Sequence, residues 1–180
     1  MTQIRIHGRG GQGVVTASEL IAIAAFADDL YSQAFPSFGV ERTGAPIESY
    51  ARIDTKPIRV REHVYNPDIL IVLDASLLNV VDVAHGCEEE TSIIVNTAKD
   101  KKDLKLKLPQ ENIHTINATQ IALDVIGKDI TNTVILGAFA QKTGEVSLSG
   151  LKKAVKQKFE DKGKKIINKN TQAIEKAYNY

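Results

Sequence analysis

A glycine-rich turn near the amino terminus constrains the fold more than any other feature of the sequence. Gly8, Gly10 and Gly13 follow a short alternating segment, residues 4–7, and precede Val14–Ala27, which is apolar on nearly all sides. Alternation is typical of a strand, and a stretch that is apolar all round is typical of a largely buried helix. The order strand, glycine turn, helix therefore predicts an α/β fold.

Two short runs in the middle of the chain are apolar at consecutive positions. Residues 68–74 and Ser92–Asn96 are rich in β-branched side chains. Strands that are covered on both faces require apolar residues throughout, so we expect these runs to be central strands of a parallel sheet. Residues 77–84 are predicted to be their crossover, and residues 113–117 a further short strand.

An antiparallel addition to this sheet is also expected. Residues 30–35 are predicted to form a strand, and residues 47–53 alternate as a half-buried strand would. Ile58 and Val60 continue that alternation beyond residues 54–57, which predicts a hairpin with its turn at 54–57. With 180 residues, the chain fits one domain. We therefore predict a single three-layer α/β domain over residues 1–180, with a mainly parallel, Rossmann-like sheet plus an antiparallel hairpin.

The glycine turn matches part of a dinucleotide-binding pattern. Such a site also carries an acidic residue about 20 positions further on, at the end of the second strand. Residues 31–36 contain no acid, and Asp28 and Asp29 come too early, where the first helix is expected to end. Two interpretations stay open. The glycines either permit only close packing of helix on strand, or they cradle a phosphate or nucleotide-like ligand.

The remaining composition excludes several classes of site. A single cysteine, Cys87, cannot build a disulfide framework, a cysteine-based zinc site or a four-cysteine iron–sulfur cluster. A net charge of +1 provides no basic field for nucleic acid. The four histidines are too scattered to predict a metal site, and no catalytic residue is predicted. No signal peptide or membrane-spanning run is apparent, so a cytoplasmic protein without a membrane partner is expected.

Two long segments resemble a known family. Residues 4–17, with the glycine turn, and residues 33–46 are similar in order and character to the gamma subunit of 2-oxoacid:ferredoxin oxidoreductases, the family that includes pyruvate synthase. The likeness continues through residues 132–138 and the closing helices. Two long motifs in the right order are more specific than a glycine pattern alone.

The resemblance implies a subunit of a larger enzyme. Members of this family oxidatively decarboxylate a 2-oxoacid, most often pyruvate, to an acyl-CoA and pass electrons to ferredoxin. The complex uses thiamine diphosphate, iron–sulfur clusters and coenzyme A, and alpha, beta and delta-type subunits are the implied partners. This chain has no Gly-Asp-Gly stretch and one cysteine, so we expect it to hold no cofactor and to be inactive alone. The alternative is a stand-alone nucleotide-binding α/β protein that uses the glycine turn.

A second loop is expected to meet the glycine turn. In parallel sheets, ligands bind outside the carboxyl ends of the strands, and the second strand, if parallel to the first, delivers its loop there. We predict that the two loops together contact the thiamine-bearing subunits or coenzyme A, with Arg42 supplying a fixed positive charge. Alternatively, Glu41 and Arg42 only pin the loop to its own domain. The contact candidates are Gly8, Arg9, Gly10, Gly11, Gln12, Gly13, Glu41, Arg42, Thr43, Gly44 and Pro46.

Overall fold

The computed structural model describes residues 1–37 and 43–180. The strands are β1 (Thr2–Arg9), β2 (Tyr31–Pro36), β3 (Pro46–Asp54), β4 (Ile69–Val72), β5 (Ser92–Asn96) and β6 (Ile113–Ile116). The α-helices are α1 (Val14–Ala27), α2 (Ala118–Val125), α3 (Thr131–Thr143), α4 (Leu148–Lys158) and α5 (Lys164–Tyr178). The strands predicted within residues 68–74 and at Ser92–Asn96 are confirmed, and so is the predicted first helix.

The strands form one six-stranded sheet in the order β2-β3-β1-β4-β5-β6. β1, β4, β5 and β6 run parallel, whereas β3 runs antiparallel to both of its neighbours, β1 and β2. The predicted α/β class, with a mainly parallel sheet and an antiparallel addition, is confirmed. Because β1 and β2 are both antiparallel to β3, they point the same way, although β3 separates them.

The predicted pairing of residues 47–53 with Ile58 and Val60 is wrong. Ala51 of β3 lies opposite Ile4 of β1 on one side and Ala34 of β2 on the other. Both edges of β3 are therefore occupied, and no edge is left for a third strand. Residues 55–68 instead follow an irregular path, and the Arg52 guanidinium donates hydrogen bonds to the carbonyls of Glu62 and His63. Since that segment covers the second face of β3, residues 49–53 are buried on both faces rather than half-buried.

The two faces of the sheet are covered by different kinds of structure. One face is covered by helices, whose buried side chains share a core with Ile4, Ile6, Ile71 and Ile94; α1 and α3 lie against the strands, and α4 and α5 pack on those two helices. The other face is covered by irregular connections, whose Leu77, Val83 and Leu104 pack against Leu70, Val72, Ile93 and Val95. The predicted crossover is thus a loop that begins with the short 3-10 turn Ala75–Asn79 rather than an α-helix. The sheet lies between a helical layer and a layer of loops.

Helix α3 is the centre of the helical layer, since residues 131–140 are all buried. The Thr133 hydroxyl donates a hydrogen bond of 2.8 Å to Asn170 of α5. Gly137 lies so close to α5 that a Cβ atom there would overlap the Ile174 carbonyl oxygen. Residues 132–138 are therefore small or apolar at the positions where α3 packs closely against its neighbours, including α5. No helix in residues 1–37 and 43–180 is long and apolar enough to cross a membrane.

Candidate functional site

The glycine loop connects the end of β1 to the start of α1. Gly13 precedes the helix with φ of 75°, in the left-handed region that favours glycine. No side chain of residues 1–37 or 43–180 caps this helix end, and no acidic residue lies in its first turn. The first amides of a helix have no partner within the helix and lie at the positive end of its dipole. They border a cleft of about 410 Å³ that Gly10, Gly11 and Thr43 also line.

Backbone hydrogen bonds join the glycine loop to residues 43–46. The Gly10 amide donates to the Ala45 carbonyl at 2.9 Å, and the Gly44 amide donates to the Gly10 carbonyl at 3.0 Å. The Arg9 guanidinium donates to the Gly44 carbonyl at 3.0 Å. The predicted meeting of the two loops is confirmed for this segment.

These hydrogen bonds give no information on the charged pair of the second loop. Glu41 and Arg42 lie outside the described residues. Pro46, at the start of β3, lies opposite Arg9 of β1. The role of these loops as a contact zone stays a prediction.

The glycines of the loop serve different purposes. A Cβ atom on Gly8 would lie 2.5 Å from Val14 Cγ2, and one on Gly13 would lie 2.5 Å from Asn132 Nδ2. These two positions require glycine for close packing. Gly11 differs, because a Cβ atom there would meet nothing within 4 Å. Gly11 is exposed, and its backbone is accessible to a partner or ligand.

Asp74 ties the glycine loop to the end of β4. Its Oδ2 accepts hydrogen bonds from Arg9 Nε at 3.0 Å and from Gln12 Nε2 at 3.2 Å. Burial raises the pKa of Asp74, but hydrogen bonds from Ser76, Gln12 and Arg9 outweigh burial, so its pKa lies below the ordinary value. Two predicted contact residues, Arg9 and Gln12, are therefore engaged within the chain. Sequence reasoning missed Asp74, although an acid directly after an apolar strand is a detectable signal.

The glycine loop and Asp74 flank the crevice at which the chain path reverses. The connection after β1 enters the helical layer towards β2 and β3, whereas the connection after β4 enters the loop layer towards β5. Open α/β sheets bind ligands at such a switch point, outside the carboxyl ends of the strands. The switch point itself is lined by Gln12 and Asp74, whereas the cleft of about 410 Å³ lies on the β3 side of the glycine loop, so the topology supports the predicted loop but not that cleft.

A second cleft, of about 460 Å³, opens on the loop-covered side of the sheet. His7 of β1 and Glu48 and Tyr50 of β3 line it. The Tyr50 hydroxyl donates to Glu48 Oε2 at 2.8 Å, and His7 Nδ1 is 3.6 Å from Glu48 Oε1. Burial lowers the pKa of His7 to about 4, although the Glu48 carboxylate raises it. Sequence reasoning gave no role to His7, because its burial depends on strands that are distant in sequence.

Metal and nucleophile chemistry has little support in the described part of the chain. No group of three histidine, cysteine, aspartate or glutamate side chains among those residues is placed to hold a metal ion. Cys87 is half-buried, and burial raises the pKa of its thiol. A raised pKa opposes formation of the reactive thiolate.

Residues 3–180 match the protein family described as pyruvate ferredoxin/flavodoxin oxidoreductase. The pyruvate synthase subunit PorC of Methanosarcina barkeri is 52% identical over 156 residues, which is 87% of this chain and 85% of that protein. The pyruvate/ketoisovalerate oxidoreductases common subunit gamma of Pyrococcus furiosus is 47% identical, over 99% and 96% of the two chains. The crystal structure of pyruvate oxidoreductase subunit PORC from Thermotoga maritima superposes with a TM-score of 0.85 at 37% identity, covering 99% and 95%.

Proposed function

The chain belongs to the pyruvate ferredoxin/flavodoxin oxidoreductase family, and from this membership we propose that it is the gamma-type subunit of a 2-oxoacid:ferredoxin oxidoreductase. The observation that carries this proposal is the length of the match. Relatives named as gamma or PorC subunits of pyruvate oxidoreductases align with nearly the whole chain and cover nearly their own full length. The whole chain, residues 1–180, then corresponds to one gamma-type domain.

Within such a complex, the redox cofactors belong to the partner subunits. The reaction requires thiamine diphosphate to activate the 2-oxoacid, iron–sulfur clusters to carry electrons to ferredoxin, and coenzyme A to accept the acyl group. One cysteine is too few for a four-cysteine cluster. We propose that alpha, beta and delta-type subunits hold these groups and that this chain contributes fold and contact surface. Pyruvate is the substrate that most of the relatives' names indicate.

The glycine loop and residues 43–46 form the contact zone in this proposal. Three observations support it: Gly11 presents an open backbone, no side chain in the described part of the chain caps α1, and Thr43 is exposed beside the same cleft. An uncapped helix end attracts an anion, so either a partner carboxylate or a phosphate of coenzyme A suits it.

The alternative, a stand-alone nucleotide-binding protein, has less support. A dinucleotide site needs an acidic side chain that is available to the ribose hydroxyls. The acid next to the glycine loop, Asp74, already accepts hydrogen bonds from Arg9 and Gln12. The relatives are named as subunits of oxidoreductases rather than as independent enzymes.

Purification of the tagged chain tests the proposal. Expressed alone, the chain should be colourless, should show no dye reduction that depends on a 2-oxoacid, and should bind NAD, NADP and FAD no more tightly than a control protein. Recovered from its native cell, it should bring with it polypeptides that carry iron–sulfur clusters and thiamine diphosphate, identified by mass spectrometry and cofactor analysis. Activity of the isolated chain, or its recovery without any partner, would contradict the proposal.

A further inference from the structure

The cleft on the loop-covered side of the sheet has a chemical character of its own. It lies beside β1 and β3, and Ile47 separates it from the glycine-loop cleft by contacting both. Its volume of about 460 Å³ is within the usual range of ligand sites. Pro46 is the residue of the proposed contact zone that lines it, and the other described lining residues lie outside that zone, so their chemistry requires a separate explanation.

Among the residues that the structure describes, the charged groups available to a ligand in this cleft are carboxylates. Glu48 and Asp82 line it, and Glu48 is partly exposed, with 38% of its side chain accessible. The Tyr50 hydroxyl donates a hydrogen bond to Glu48 Oε2. Glu48 Oε1 lies 3.6 Å from His7 Nδ1, beyond normal hydrogen-bond length, and so retains capacity for an N–H donor.

Arg5 is the permanently charged cation among the described lining residues, and its positive charge, which also lowers the pKa of His7, offsets one of the two carboxylates. Its guanidinium donates hydrogen bonds to the carbonyls of Val64, Tyr65, Val83 and His85. Arg5 is 5% exposed. Because its four terminal N–H groups bind loop carbonyls, Arg5 fastens the loops to the sheet and is not positioned to pair with a ligand anion.

His7 forms part of the buried floor of the cleft. Its side chain is 4% exposed, and its low pKa keeps the imidazole neutral at pH 7. A neutral imidazole carries one proton, and the Glu48 carboxylate facing Nδ1 favours that proton on Nδ1. Nε2 is then an acceptor, and it has no hydrogen-bond partner among the described residues. Because Nε2 has almost no accessible surface, a ligand in the cleft does not reach it, and His7 contributes a neutral ring to the floor of the cleft rather than a hydrogen bond.

Aromatic rings complete the wall of the cleft. The ring centroids of Tyr50 and His63 are 5.1 Å apart, and those of His63 and Tyr65 are 6.3 Å apart. Tyr65 is 62% exposed at the outer end of this row. The faces of aromatic rings attract ammonium and guanidinium groups, and the attraction increases when the cation is partly desolvated.

We propose that this cleft binds an organic cation with N–H donors, an alkylammonium or guanidinium group, between the Glu48 and Asp82 carboxylates and the Tyr50–Tyr65 row of rings. Two kinds of lining group favour this partner: the carboxylates supply the opposite charge, and the rings supply cation–π attraction. Such a group comes either from a free amine or from a lysine or arginine side chain of a partner subunit.

NMR titration of the full-length chain with methylguanidinium at pH 7 tests this proposal. The signals of the His7 and Tyr65 rings should shift in a saturable manner, and methylurea, which has a similar shape but no charge, should leave them unchanged. Glu48→Gln should weaken binding about tenfold, because the glutamine oxygen still accepts a hydrogen bond but the charge that strengthens it is lost. Glu90→Gln, an exposed change outside the cleft, should have no effect on binding. Equal responses to the two probes would overturn the proposal.

A second variant and the assembled complex make the test decisive. Tyr65→Leu removes an exposed ring and should also weaken methylguanidinium binding, even if Glu48→Gln perturbs the fold. If the complex still binds methylguanidinium, the natural ligand is a free amine. If the complex excludes it and Glu48→Gln weakens assembly, a partner's lysine or arginine occupies the cleft. No binding by the free chain, together with normal assembly of Glu48→Gln, would overturn the proposal.

Discussion

Asn132 Nδ2 donates a hydrogen bond to the Gly13 carbonyl oxygen at 3.3 Å, and this contact joins the start of α3 to the start of α1. The two residues are 119 positions apart in sequence. The approach is possible only because Gly13 lacks a side chain, since a Cβ atom would lie 2.5 Å from the same nitrogen. The conformation of the glycine loop therefore depends on the helical layer as well as on the loop's own sequence.

Gly13→Ala should destabilise the fold by about 2–4 kcal/mol. The substitution combines left-handed backbone strain with a clash against Asn132. Gly11→Ala is the matched control, because it has similar strain at φ of 95° but no clash. It should cost only about 1–2 kcal/mol. Urea unfolding measures both values, and equal losses would show that the Asn132 contact has no energetic importance.

Gly137→Ala should also destabilise the chain, although alanine favours a helix by about 1 kcal/mol over glycine. The new Cβ atom overlaps the backbone oxygen of Ile174, which is not able to rotate away as a side chain does. We expect a net loss of about 2 kcal/mol in urea unfolding. Gln157→Ala, at an exposed position of α4, should change stability by less than about 0.5 kcal/mol. A stabilised Gly137→Ala variant would refute the close approach of α3 and α5.

Arg5→Met should loosen the loops that cover the sheet. The substitution keeps most of the side-chain length but removes the donors that hold the carbonyls of residues 64, 65, 83 and 85. We expect a loss of about 2–4 kcal/mol, because several buried carbonyls lose their partner. Hydrogen exchange should accelerate in these loops more than in α3. Arg59→Met, an exposed arginine on the same loop layer, should change neither quantity.

His7 should make stability depend on pH below neutrality. Its pKa falls from 6.5 in the unfolded chain to about 4 in the folded one, mainly through burial. Between these values the unfolded state binds more protons, so stability is complete above pH 6.5 and falls as the pH drops towards 4. The loss attributable to His7 is about 3 kcal/mol. His7→Gln should flatten the stability profile in this window, measured by urea unfolding at several pH values. An unchanged slope would contradict a buried neutral His7.

Helices and strands that are buried on most sides could be predicted from the sequence, because their own residues are mostly apolar. β4 is apolar at every position, β5 is apolar at its three central positions, and α1 is apolar nearly all round, so each was predicted close to its observed bounds. The pairing of β3 was not predictable in this way. The alternation at Ile58 and Val60 resembled a strand, but whether a strand forms depended on distant segments, β1 and β2, which already occupy both edges of β3.

The position of the candidate site could be predicted from the sequence, but the side-chain contacts within it could not. The glycine pattern located the loop, and its meeting with residues 43–46 followed from the directions of β1 and β2. The engagement of Arg9 by Asp74 was not visible, because the two residues are 65 positions apart and meet only when β4 pairs with β1. The same holds for His7, whose burial depends on Glu48 and Tyr50 of the neighbouring strand.

Turnover of a reconstituted complex tests the proposed contact zone most directly. Thr43→Tyr adds a bulky ring at an exposed position beside the glycine-loop cleft, and Thr55→Tyr adds the same ring at an exposed turn that does not line the cleft. Both variants should unfold at the same urea concentration as the unaltered chain. We predict that Thr55→Tyr supports normal reduction of ferredoxin by a 2-oxoacid, whereas Thr43→Tyr fails to assemble or turns over at a small fraction of that rate. Equal assembly and turnover by the two variants would contradict the account.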